Sequence, residues 1–131
     1  MNSANIFFIA DDDPDDRELF TLALKQIDAS CECTTAINGE EAMKKLLHGM
    51  PVLPGFIFFD LNMPRLNGKE CLAAIKKDAR FTDIPVIIYS TSSDKREQEN
   101  AMQLGAAYFL QKPNSFDELT RALSNIIGRN W

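Results

Sequence analysis

Residues 6–20, IFFIADDDPDDRELF, place five aspartates (Asp11, Asp12, Asp13, Asp15 and Asp16) within six positions, directly after an apolar run that reads as a buried strand. Carboxylates that crowd together raise one another's pKa, and burial adds to the effect. Helix-start rules explain part of the run. Asp13 before Pro14 is an N-cap with proline at the first helical position. Asp15 and Asp16 then fall in the first turn, where carboxylates face the positive end of the helix dipole. Asp11 and Asp12 precede the cap, and a helix start needs neither.

Three later segments end an apolar run in a polar group: FIFFDLNMPRLNG places Asp60, IPVIIYSTSSD places Ser90, and YFLQKPNSF places Lys112 before Pro113. Taken singly, Asp60 is a turn former, Ser90 a helix cap and Lys112 a solvated charge. Taken together, three carboxylates, a hydroxyl and an amine converge where open parallel sheets build their sites, at the carboxyl ends of the strands. Three carboxylates suit a hard divalent cation such as Mg2+, which offsets their repulsion. A carboxylate can also attack phosphorus to give an aspartyl phosphate. Phosphoryl transfer then needs mainly neutralisation of charge, which Mg2+, the Lys112 ammonium and the Ser90 hydroxyl can supply.

The elements that must position these groups are legible as alternating patterns. Candidate strands are Ile6–Ala10, Glu32–Ala36, Phe56–Phe59, Val86–Tyr89 and Tyr108–Leu110. The first, third and fourth are nearly continuous apolar runs, as expected of parallel strands covered on both faces. Helical spacing links Leu19, Leu22, Ala23 and Ile27, and again Phe116, Leu119, Leu123, Ile126 and Ile127. Strands alternating with helices imply a parallel α/β sheet with right-handed crossovers. No linker, repeat or low-complexity tract divides residues 1–131, so one domain is expected to fill them.

The 131 residues carry a net charge of −5, which argues against a nucleic-acid backbone binder. No segment approaches the roughly 18 apolar residues of a membrane span, and the first residues lack a signal peptide's basic and apolar regions. Three cysteines, an odd number, fit a reducing cytoplasm better than a disulfide framework. Cys31 and Cys33 would share a strand face, but no third or fourth soft ligand is nearby. His48, the only histidine, reads as a solvated residue at a helix end.

With Asp11-Asp12 after the first strand, DLNMPRLNG from Asp60, Ser90 ending the fourth strand and Lys112-Pro113, the chain resembles the receiver domain of two-component response regulators over essentially its full length. The resemblance implies a five-stranded parallel sheet of flavodoxin-like order 2-1-3-4-5, with helices on both faces. It implies that Asp60 is the phosphoacceptor, with Asp12 and Asp60 binding Mg2+ directly, Asp11 acting largely through water and Asn62 offering its backbone carbonyl. Ser90 becomes the switch hydroxyl, Lys112 the cationic partner of the phosphoryl group, and Phe109 the aromatic switch residue. A phenylalanine there has no hydroxyl, so its signalling must rest on packing. The Lys112–Pro113 bond is expected to be cis.

The resemblance further implies a phosphorelay protein rather than a turnover enzyme, fed by a sensor histidine kinase or a histidine phosphotransfer protein. Most members carry an output domain, so a receiver alone is expected to act by docking on a downstream protein or a second copy, or by passing phosphate on. The segment KKDARFTDIPV is similar to stand-alone regulators paired with phytochrome-type kinases. Three rivals use related parts. A haloacid-dehalogenase-type phosphatase needs an aspartate where Asn62 stands, and a flavodoxin needs a hydroxyl-rich phosphate loop where the aspartates lie. A pseudo-receiver, a binding module without phosphorylation, usually lacks an acidic, hydroxyl or lysine position, and none is lost here.

Overall fold

The computed structural model describes residues 5–131. Five strands form one sheet in the order β2-β1-β3-β4-β5: β1 Ile6–Ala10, β2 Glu32–Ala36, β3 Phe56–Asp60, β4 Val86–Ser90 and β5 Tyr108–Gln111. All four pairings are parallel, and the order is the one the resemblance implies. The crossovers are α1 Pro14–Ile27, α2 Gly39–Lys44, α3 Gly68–Lys76 and α4 Lys95–Gln103, and α5 Phe116–Ile127 follows the last strand. A π turn, Lys45–Gly49, extends α2.

Strand side chains alternate between two cores. Phe7, Ile9, Phe56, Phe58, Ile87, Tyr89 and Leu110 pack with α1 and α5, whereas Phe8, Ala10, Ile57, Phe59, Val86 and Ile88 pack with α2, α3 and α4. That alternation is the two-residue period of a strand buried on both sides. Helix starts follow their caps. Asp13 accepts from the Asp15 and Asp16 N–H groups, and Asn67 and Glu70 form a capping box at α3.

Both helical rows fall in helices as expected, but not every member is buried, and three strands end later than expected. In α1 the buried face is Phe20, Ala23 and Leu24, while Leu19 and Leu22 are 43% and 50% exposed. Both rows have helical spacing, but Phe20 meets the Phe58 ring edge-on at 4.8 Å, and α1 turns that bulkier row to the sheet. In α5, Leu119, Leu123 and Ile126 are buried but Phe116 at the first turn is exposed. Strands β3, β4 and β5 each run one residue further than expected, because the parallel ladder extends to Asp60–Tyr89 and Ser90–Gln111. His48 is exposed as expected, whereas Cys31 lies just before β2 rather than on it, and packs like Cys33 of that strand against the α1/α5 core.

Gly68, the first residue of α3, ties the fold to the end of β3. Its N–H donates to the Leu61 carbonyl at 3.1 Å. A β-carbon there would land on the Asp60 carbonyl oxygen and lie 3.0 Å from the Leu61 α-carbon. Helix propensity alone would make Gly68→Ala more stable by up to about 1 kcal/mol. The overlap with backbone predicts the opposite sign, a loss of about 1–3 kcal/mol. Urea unfolding at constant m-value checks this, and a midpoint that stays or rises would contradict the close packing.

Candidate functional site

Parity along the strands sorts the polar groups at the sheet's carboxyl edge. Asp60 and Tyr89 point to the α1/α5 side with Phe58 and Ile87 two residues before them, and Asp11 and Lys112 continue the same side from β1 and β5. Ser90 and Phe109 belong to the other side, where Phe109 packs half-buried against the core that contains Ile88, Ala101 and Ala106.

The Lys112 ammonium is the centre of the first group. Its Nζ lies 2.7 Å from Asp16 Oδ2, 2.9 Å from Asp11 Oδ2 and 3.5 Å from Asp60 Oδ2. It also sits 5.2 Å from the centroid of the Tyr89 ring, within cation–π range. Burial pulls the ammonium's pKa down, but hydrogen bonds to Asp16 and Asp11 outweigh it, and the pKa lies above the usual lysine value.

The carboxylates are unequally satisfied. Asp11 is fully buried, yet its Oδ1 accepts from the Asp13 N–H at 2.9 Å while Oδ2 takes the lysine. Its carbonyl accepts from Arg17 Nη1 at 2.7 Å, which fixes the backbone as well. Asp60 is also buried, but its two contacts are long: the Asn62 N–H at 3.3 Å and Lys112 at 3.5 Å. Burial, and next the neighbouring Asp11 charge, push the Asp60 carboxyl up from 3.8 to about 7 despite Lys112. Oxygens of Asp11, Asp12 and Asp60 lie within 4.8 Å of one another. A divalent cation fits there, because it would relieve the repulsion that raises Asp60.

The remaining expected residues lie around this centre. Asn62 is exposed on the β3–α3 loop. Ser90 is fully buried at the end of β4, where its Oγ accepts from the Ser92 N–H at 3.1 Å. The loop from Asp60 to Gly68 turns tightly at Arg65, which has a φ of 71° beside a Leu66 N–H to Pro64 carbonyl bond of 2.8 Å. Left-handed backbone at a non-glycine residue is costly and is held by its surroundings. One expectation fails: no described peptide bond is cis, so Lys112–Pro113 is trans. The two isomers differ by only about 0.5–1 kcal/mol before proline. In the trans form the Lys112 N–H already reaches the Ser90 carbonyl at 2.6 Å. Asp16 and Tyr89 were not expected at the site. The strand parity of Tyr89 was the available signal, whereas Asp16 was hidden by a sufficient role at its helix start.

A raised carboxyl pKa stabilises the fold fully below the unfolded value and loses that contribution as pH climbs through the folded one. Without metal, wild type should therefore lose stability relative to Asp60→Asn between pH 4 and about 7. Melting temperatures in EDTA across this range test the sign. A constant difference between the two proteins would mean that Asp60 is not raised.

Comparison with known proteins identifies the family and the fold. Residues 7–124 match the response regulator receiver domain. The protein PilG of Pseudomonas aeruginosa is 32% identical over 115 residues, covering 88% of this chain and 82% of PilG. Against the response regulator Rre1 of Synechocystis the identity is 30%, and the chain spans 51% of that longer protein. The phosphorylated cyanobacterial phytochrome response regulator RcpA superposes with a TM-score of 0.84 at 29% identity, covering 92% of this chain and 89% of RcpA. The Mn2+-bound form of response regulator Rcp1 gives 0.81 at 26% identity, with 92% and 90% covered. The chain belongs to the response regulator receiver domain family of two-component signalling.

Proposed function

We propose that the domain accepts a phosphoryl group on Asp60 from a histidine kinase or a histidine phosphotransfer protein and answers by changing a docking face. The observation that carries this is the inequality among the carboxylates: Asp11 is fully engaged, while Asp60 offers a buried oxygen with only long contacts. A lone pair of that oxygen would attack phosphorus as the phosphorus–nitrogen bond of a phosphohistidine breaks, its electron pair returning to the imidazole. Asp11, Asp12 and Asp60, with the Asn62 carbonyl, would hold Mg2+. When bound, the metal supplies positive charge against the carboxylates and the phosphoryl oxygens. Lys112 would meet a second phosphoryl oxygen as a point charge rather than a metal ligand. The relatives' phosphorylated and Mn2+-bound forms support both halves of the assignment.

Output would begin at Ser90. Its Oγ accepts from Ser92 and keeps its own proton free to donate to a phosphoryl oxygen. Drawing the hydroxyl toward Asp60 would open space on the α4 side of β4, where the half-buried Phe109 ring already packs. The face of α4, β5 and α5 carries exposed Met102, Leu104 and Phe116, apolar groups suited to a downstream protein or a second copy. Two packings of Phe109 would bias that face between two states. The domain assists its own phosphorylation and dephosphorylation, with no separate substrate to turn over.

Intact mass after incubation with a small acyl-phosphate donor tests the acceptor. Wild type should gain one hydroxylamine-labile phosphoryl group in Mg2+, and Asp60→Asn none while folded. Label at a serine or at His48 would refute the assignment. Mg2+ at ten times its dissociation constant should stabilise wild type by about 1.4 kcal/mol, and Lys112→Ala should keep metal binding. Amide NMR with beryllofluoride tests the output. Shifts should reach Phe109 and residues 94–112, and Ser90→Ala should shorten that reach. Shifts confined to the metal site would make the domain a carrier of phosphate only.

A further inference from the structure

The shortest contact of Lys112 is with Asp16, a residue outside the three-carboxylate group that fits a metal. An ammonium has three N–H donors, and here all three face carboxylates: Asp16 at 2.7 Å, Asp11 at 2.9 Å and Asp60 at 3.5 Å. A phosphoryl group on Asp60 needs one of them. Which carboxylate gives it up follows from burial. The Asp11 side chain is fully buried, and losing the lysine would leave a desolvated charge without its cation. Asp16 is different. Its side chain is 29% exposed, so water can replace the lysine. It also lies in the first turn of α1, where the positive end of the helix favours a carboxylate whether or not the lysine is present.

Taking Asp60 as the phosphoryl acceptor, we propose that Asp16 is the resting counter-ion of Lys112, and that a phosphoryl group on Asp60 draws the ammonium off Asp16. Asp16 is thus a positioning residue that sets, through Lys112, how tightly the phosphorylated state is held. The Tyr89 ring, 5.2 Å from Nζ, is the floor over which the ammonium shifts. Because Asp16 belongs to α1, the departure also frees the start of that helix from the lysine.

The direction of the effect distinguishes this role from a structural one. Asp16→Asn keeps an oxygen for the lysine but removes the competing charge. At saturating Mg2+, beryllofluoride, a phosphoryl mimic, should bind roughly tenfold tighter, the scale of one hydrogen bond to a charged group. Mg2+ alone should bind more weakly, because the freed ammonium leans on Asp11 and Asp60. Loosened packing would weaken both ligands. Asp16→Glu, which restores the charge, should return beryllofluoride binding toward wild type. Asp15→Asn removes a charge from the same turn without touching Lys112, and should leave beryllofluoride affinity within twofold. Fluorine NMR reads the bound mimic, and thermal melts confirm that each variant is folded.

Equal tightening by Asp15→Asn would reduce the effect to the general field and overturn the role of Asp16. So would unchanged or weaker beryllofluoride binding in Asp16→Asn while wild type binds normally. No bound mimic in wild type would instead overturn the phosphoacceptor reading, and this inference with it.

Discussion

One ammonium holds the carboxyl edge of the sheet together. Lys112, just beyond β5, reaches across to carboxylates contributed by the end of β1, the end of β3 and the start of α1. Without that charge, Asp11 would be a fully buried anion whose remaining protein partner is a single backbone N–H. Breaking a buried pair by removing one partner costs on the order of 3–5 kcal/mol, a large share of a small domain's stability. The buried Asp11 of that acidic run is therefore tolerable because the fold returns a cation to it from a residue about a hundred positions later.

That cation does not balance the cluster. Three carboxylates contact one ammonium, and Asp12 adds a fourth negative group at the rim. The residual charge falls on Asp60, the carboxylate with the longest contacts and the raised pKa. An under-satisfied, partly protonated carboxylate is a poor structural element. It is a good place for a ligand that brings positive charge, and for a reaction that consumes a carboxylate lone pair. Strand alternation then divides the labour: Asp11, Asp60, Tyr89 and Lys112 face α1 and α5, while Ser90 and Phe109 face α4. The sheet stands between the charged group and the pair packed toward α4, so a change at one must pass through the strand ends to reach the other.

Much of this is legible in the sequence, for physical reasons. Doubly covered parallel strands must be continuously apolar, so a polar residue that ends such a run marks the sheet's edge, and Asp60, Ser90 and Lys112 are found that way. Asp16 escapes the same logic because a carboxylate in a first helical turn is already favourable, and sequence offers no sign of a lysine ninety-six residues away. The α1 face misleads for a related reason. Leu19–Leu22 and Phe20–Ala23–Leu24 both satisfy helical spacing, and only the shape of the sheet beneath, with Phe58 to receive Phe20, chooses between them. The isomer at Pro113 rests on so small a free-energy difference that local sequence does not decide it.

The charge imbalance at Asp60 can be measured directly. In protein labelled with carbon-13 at aspartate side chains, the carboxyl carbon of Asp60 should titrate near 7 in EDTA, as burial and Asp11 require, and well below that in saturating Mg2+. Assignment by comparison with Asp60→Asn identifies the resonance. A midpoint near the ordinary 3.8 without metal, unmoved by Mg2+, would contradict the charge imbalance assigned to the lysine-centred cluster.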